Sequence, residues 1–186
     1  MKILVEVSAR HIHLSEADFR SLFGDKAPTE IKALSQQDTS CEETVEIVGP
    51  KSSISNVRLL IPFREQSQLE VSRTDCYFLG VDAPLKLSGD LQGAKVKVIG
   101  PAGSIDKDIA IVAKRHLHLP PEEATKLNLK KDDIVSVKIP GERASIFSSI
   151  SVRIKDIYSP AVHVDTDEAN AAGLSEATEC ELILNS

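Results

Sequence analysis

The sequence predicts a mainly-β protein of the α+β class, built from two duplicated halves with a few short helices. Three observations carry that expectation. Short segments alternate apolar and polar residues or are rich in β-branched ones, and each is bounded by Gly, Pro, Asn, Asp or Ser. Helix signals are few and brief. A histidine-bearing motif occurs twice, which marks an internal repeat.

In chain order, "ILVEVS" (3–8) opens as a strand and "ARHIHL" (9–14) continues the alternation. Ser15 then offers an N-cap with Asp18 three residues on, apolar Phe19, Leu22 and Phe23 follow, and Gly24 is a stop, so 15–24 reads as a short helix. Strands are expected in "ETVEIVG", "NVRLLIPF", "QLEVSRT", "KVKVIG" and "IAIVAK", and after them in "DIVSVKI", "SISVRI", "AVHVDT" and "ECELIL". A second short helix is expected in "PPEEATKLNL", where proline at the first turn is followed by Glu122 and Glu123. "GPKSS" (49–53) and "GPAGS" (100–104) are turn sequences, and neither has the Walker pattern of a phosphate loop.

The repeat aligns "ARHIHLSEADFRSL" with "KRHLHLPPEEATKL" at an offset of 105 residues without a gap. A weaker second match sets "EVSRTDCYFLGV", from Glu70, beside "HVDTDEANAAGL", from His163, at an offset of 93. Each half therefore carries a His-x-His pair, a helix, a strand-rich stretch, and one metal-competent side chain that opens a strand-to-helix segment. That side chain is Glu70 in the first half and His163 in the second.

Residues two apart on a strand share a face, so His11 and His13 project together around Ile12, and His116 and His118 around Leu117. A tetrahedral catalytic zinc takes three protein ligands and keeps one open position, commonly with His₃ or His₂Glu donors. The two halves supply both sets: His11, His13 and Glu70; His116, His118 and His163. A lone strand histidine is usually a packed or surface residue. Here all five histidines fall at repeat-equivalent ligand positions, which favours metal binding. The donor set also suits cobalt or nickel.

For anions, each pair leads into a helix N-terminus. Arg64 lies in phase with Glu70 on an extended strand and is the preferred phosphate ligand. Arg10 and Arg115 point away from the histidines by alternation, which suits structural ion pairs. Asp165 and Asp167 either orient a ligand imidazole or belong to a capped helix start, with Thr166 or Asp167 as N-cap. No G-x-S-x-G elbow is present and no Cys/His pair has a familiar spacing, so metal-assisted attack is preferred over a side-chain nucleophile.

Composition narrows the setting. The net charge of −6, the 4% aromatic content and the absence of tryptophan disfavour nucleic acid and anionic membranes. No apolar run is long enough to span a bilayer. Three scattered cysteines without a C-x-x-C pair fit a reducing cytoplasm. The start carries no export signal.

Taken in order, "RHIHLS", "GPK", "REQSQLEVSRTD", "SGDL", "GPAGS", "AKRHLHL" and "HVDTDEANAAG" resemble the PduL-type phosphate acyltransferases (phosphate propanoyltransferases, phosphotransacylases) over nearly the whole chain. The resemblance implies two zinc ions side by side. His11, His13 and Glu70 hold one, open to the coenzyme A sulfur; His116, His118 and His163 hold the other, open to water or phosphate. Arg64 takes the place of the family's phosphate-binding arginine. The implied fold is two small β-barrels capped by short helices, with the N-terminal strand joining the barrel built mainly from later residues. Residues 35–100 form the central barrel in this reading, and 1–34 with 101–186 the second.

The implied reaction is acyl-CoA plus phosphate giving acyl phosphate plus CoA, reversibly, with an acetyl or propanoyl group. Two other readings use the same residues: a metal-dependent thioester hydrolase, and a non-catalytic zinc-stabilised interaction module in which Asp165 or Asp167 closes a site. Departures from the family pattern at "LSQQD" (34–38), "IPFR" (61–64) and Lys86-Leu87 bear on the CoA pocket and acyl preference. The first strand starts at residue 2 or 3, which leaves no microcompartment-targeting extension in this sequence and points to a free cytosolic enzyme. A homodimer is left open.

Overall fold

The computed structural model describes residues 1–35, 38–90 and 92–184. The elements run β1 (Lys2–Ser8), β2 (His11–His13), α1 (Glu16–Phe23), β3 (Glu30–Ala33), β4 (Thr39–Val48), β5 (Ser53–Ile61), β6 (Gln68–Glu70), α2 (Arg73–Leu79) and β7 (Leu85–Lys86). They continue with β8 (Ala94–Ile99), β9 (Ser104–Ala113), β10 (His116–Leu119), α3 (Pro121–Lys126), β11 (Ile134–Ile139), β12 (Ser145–Ile154), β13 (Ala161–Asp165), α4 (Thr166–Ala172) and β14 (Thr178–Leu184). The expected strands are present. The expected helices at 15–24 and after Pro120 form, and α2 and α4 follow Glu70 and His163.

Two compact units result, each with its own barrel and core. One comprises Met1–Ala9, Ser35–Gln37 and Lys114–Ser186, and its strands close in the order β1-β13-β10-β12-β11-β14. Its core includes Val5, Leu117, Leu119, Val137, Ile150, Val152 and Val162, all without solvent exposure. The other comprises Arg10–Leu34 and Asp38–Ala113. Its ring runs β4-β5-β2-β6-β9-β8 and closes where β8 pairs with β4, while β3 and β7 extend it at β4 and β9. Ile12, Leu14, Leu22, Ile47, Leu59, Leu69 and Leu79 fill its centre. Closure leaves each ring without an open edge.

The pairing senses match between the rings. β2 runs parallel to β5 and antiparallel to β6, as β10 runs parallel to β12 and antiparallel to β13. β9 runs parallel to β6, as β1 runs parallel to β13. In this correspondence the strand that precedes each His-x-His pair completes the ring of the other unit: β1 leads into β2, and β9 leads into β10.

The unit boundaries differ from those expected near residues 35 and 100. Residues 10–34 go with the central ring because β2 lies between β5 and β6, and residues 104–113 stay there because β9 pairs with both β6 and β8. Turn chemistry supports both hairpins of that ring. A Cβ on Gly49 would lie 2.3 Å from the Leu79 carbonyl oxygen, and one on Gly100 would lie 2.4 Å from that of Leu22, so only glycine fits against these helix ends.

Candidate functional site

In the central ring, β2 and β6 pair with His11 directly opposite Glu70. His13 lies two residues along on the same face, while Ile12 points into the core with no exposure. All three polar side chains are buried. His11 Nε2 lies 3.7 Å from Glu70 Oε2, and the two imidazoles meet edge to face at 5.1 Å. One donor atom from each of the three falls within 4.8 Å of the others.

The second unit repeats this arrangement with three imidazoles. His116 stands opposite His163 in the β10–β13 ladder, and Leu117 is the buried residue between the pair. His116, His118 and His163 have ring centroids 4.6 to 5.2 Å apart and donor atoms within 4.8 Å. The Lys114 carbonyl oxygen lies 2.9 Å from His116 Nδ1. A carbonyl only accepts, so this nitrogen carries the proton and Nε2 keeps its lone pair. Tyr158 stacks on His118 at 3.8 Å.

These sets fit a divalent metal ion. His118 Nδ1 is buried with no hydrogen-bond partner among the described residues, a costly condition for a polar atom left without a ligand. Burial first, and then Arg64 and His11, pushes His13 far below the usual imidazole range. Burial, followed by His116 and His163, does the same to His118. Neutral imidazole is the form that coordinates a metal.

Arg64 reaches the first triad, but not from an extended strand in phase with Glu70. β5 ends at Ile61, and Pro62, which has no N–H to continue the ladder, starts a connection that runs to β6. The Arg64 N–H instead donates to the Leu14 carbonyl at 3.0 Å, which brings Nη2 to 2.7 Å from His13 Nε2. Nη1 donates to Ser88 Oγ at 3.1 Å. Buried Gln68 accepts from the Gly89 N–H at 2.8 Å and donates to the Asp90 carbonyl at 2.7 Å, tying the 88–90 turn to β6 beside Arg64.

Arg10 and Arg115 are ion-pair partners on the side away from the histidines. Arg10 holds Asp75, and Arg115 holds Glu168. Asp165 is the N-cap of α4, one residue before the caps expected; its carboxylate accepts the Glu168 N–H at 2.8 Å. The capped-helix reading thus describes Asp165, and burial raises its carboxyl above the usual range.

A family model described as phosphate propanoyltransferase matches residues 4–175. The chain belongs to the phosphate propanoyltransferase family. A phosphate propanoyltransferase of Escherichia fergusonii is 45% identical over 183 residues, which cover 96% of this chain and 87% of that protein. One from Clostridioides difficile is 43% identical over 185 residues, 97% of this chain and 88% of the relative. One from Thermotoga maritima is 46% identical over 178 residues, 93% of this chain and 85% of the relative.

Three neighbours of the triads in this phosphate propanoyltransferase family member went unrecognised in the sequence. Asp38 Oδ2 lies 3.7 Å from His13 Nε2, Glu6 Oε2 lies 3.5 Å from His163 Nε2, and Tyr158 covers His118. Asp38 belongs to the divergent "LSQQD" stretch, whose Gln36 and Gln37 lie outside the described residues, as does Leu91 of "SGDL". The divergent Lys86 ends β7, and Pro62 of "IPFR" ends β5. No described helix is long and apolar enough to cross a membrane.

Proposed function

We propose that this chain exchanges an acyl group, acetyl or propanoyl, between coenzyme A and phosphate: acyl-CoA plus phosphate gives acyl phosphate plus CoA, reversibly. The carrying observation is that all six expected ligands gather into two repeat-equivalent triads, each within 4.8 Å. The family match and the names of the relatives support the same reaction class.

His11, His13 and Glu70 would hold one divalent ion, and His116, His118 and His163 a second. Bound there, zinc supplies Lewis-acid stabilisation to a departing thiolate and an attacking oxyanion. Arg64 binds phosphate. Its guanidinium is planar and permanently charged, which suits two phosphate oxygens at once, and its contacts with Ser88 and Leu14 fix its direction. A phosphate oxygen attacks the thioester carbonyl carbon, the new C–O bond forms, and the C–S bond breaks with its electron pair on sulfur. Arg64 contributes by holding the nucleophile in place beforehand, which removes much of the entropic barrier of a bimolecular step.

The proposal includes a reducing, cytoplasmic setting, supported by three buried free cysteines. The substrates are small molecules, and a homodimer is compatible with the reading.

The test is thiol release from acetyl-CoA and propanoyl-CoA by the zinc-loaded protein, with and without phosphate. Release that requires phosphate and yields acyl phosphate is expected. Release of free acid without phosphate would assign a hydrolase instead, and no release with either substrate would leave the triads as structural metal sites.

A further inference from the structure

The two ladders that carry the triads are short. β2 and β6 contribute three residues each, so few backbone bonds hold His11 against Glu70. Beside this ladder, Arg10, the residue before His11, donates Nη2 to Asp75 Oδ1 at 2.7 Å and Nε to Oδ2 at 3.0 Å. Asp75 Oδ2 also accepts the Ser72 N–H at 3.1 Å, and Ser72 is two residues beyond Glu70. A continuous series of bonds therefore runs from the residue before the first ligand to the residue two past the third.

The second unit has the same series. Arg115, before His116, donates Nε to Glu168 Oε1; Glu168 Oε2 accepts the Asp165 N–H at 3.1 Å, and Asp165 is two residues beyond His163. In both units the carboxylate is the third residue of a helix and completes a capping box. One copy uses aspartate and the other glutamate, yet the connections are the same. Helix capping alone does not call for an arginine, and the carboxylate already caps its helix through the backbone N–H.

We infer that Arg10–Asp75 and Arg115–Glu168 are matched positioning devices, each setting the separation of the first and third ligands of its own triad and so the metal affinity of that centre. The inference rests on the reading of the triads as metal centres. A metal site binds tightly when its donors are held at fixed separations by surrounding bonds. An ion pair beside a three-residue ladder resists the splaying that would move His11 from Glu70, or His116 from His163. Arg10, Asp75, Arg115 and Glu168 touch no reacting atom in this account and act only through the ligands.

The test is zinc binding by equilibrium dialysis in Asp75→Asn and Glu168→Gln chains, and in Arg10→Gln and Arg115→Gln chains, which leave the capping carboxylates in place. Each variant is also measured in His118→Ala and His13→Ala backgrounds, which retain only the first or only the second centre. Asp75→Asn and Arg10→Gln are expected to weaken the first centre about tenfold or more and leave the second unchanged, with Glu168→Gln and Arg115→Gln doing the reverse. Unchanged affinity at both centres in folded variants would overturn the inference while leaving the metal reading intact. So would equal weakening of both centres in step with the unfolding temperature, since that marks a general loss of stability. A wild-type chain that binds no zinc would overturn the metal reading, and this inference with it.

Discussion

Glu6 Oε2 lies 3.5 Å from His163 Nε2, because β1 runs parallel to β13 with Glu6 in register with His163. The contact brings a carboxylate from the first strand to the last of the six expected ligands. On the reading of that triad as a metal centre, the carboxylate adds negative charge close to the site and so favours a bound cation. Glu6→Gln keeps the size and the ladder and removes the charge. It should weaken zinc binding at the His116, His118 and His163 centre about tenfold, as measured by chelator competition, and leave the other centre at wild-type affinity.

Arg64 Nη2 lies 2.7 Å from His13 Nε2, which sets a permanent positive charge beside the first triad. Arg64→Ala should lower phosphate-dependent thiol release by at least about a hundredfold, the usual loss when one charge-stabilising donor is removed from a reacting centre. Circular dichroism and the unfolding temperature should stay close to wild type, because the side chain is only half-buried. Wild-type turnover in this variant would remove Arg64 from the phosphate site.

The pH dependence of stability in the metal-free protein follows from His13 and His118. Both are held far below the usual imidazole range, mainly by burial, whereas in the unfolded chain they titrate near 6.5. Below that pH the unfolded chain takes up protons that the folded chain refuses. Stability is therefore full above 6.5 and is lost as the pH falls, with a slope approaching about 1.4 kcal/mol per pH unit for each histidine. Calorimetry from pH 7.5 to 5 should show a falling midpoint, and a His13→Gln, His118→Gln chain should show a shallower fall. An equal slope in the two proteins would rule out these histidines as its source.

Leu117 is fully buried between His116 and His118. Leu117→Ala should destabilise the chain by about 2–5 kcal/mol through lost burial and a residual cavity, a shift readable as a lower urea midpoint. The same change loosens the strand that aims His116 and His118, so zinc affinity should fall at that centre before the fold is lost.

The gathering of the two triads was legible because its signal is local: a two-residue spacing that needs only a strand to make one face, repeated at a fixed offset. Helix α1 was legible for the same reason, through Ser15, Asp18 and Gly24. The position of Arg64 was not. Its approach to His13 depends on a backbone bond to Leu14 and on the end of β5 at Pro62, and strand phase says nothing about either. Asp38 and Glu6 were invisible for a related reason. Asp38 reaches His13 through the course of a loop, and Glu6 reaches His163 through a pairing between strands at opposite ends of the chain. The short strands β3 and β7 were missed because neither has a buried face to impose alternation; β3 is exposed throughout.

β1 and β9 are placed reciprocally, each completing the ring of the unit to which the following histidine pair does not belong. A half-length polypeptide carrying a single repeat could not close a ring from its own strands in this topology, because its first strand belongs to the other ring. Two such polypeptides could close both rings by trading first strands. The present chain thus has the connectivity of a domain-swapped dimer written in one polypeptide: the link from β8 through the Gly100–Gly103 turn to β9 joins the copies, so the strand exchange happens within one molecule and needs no association step.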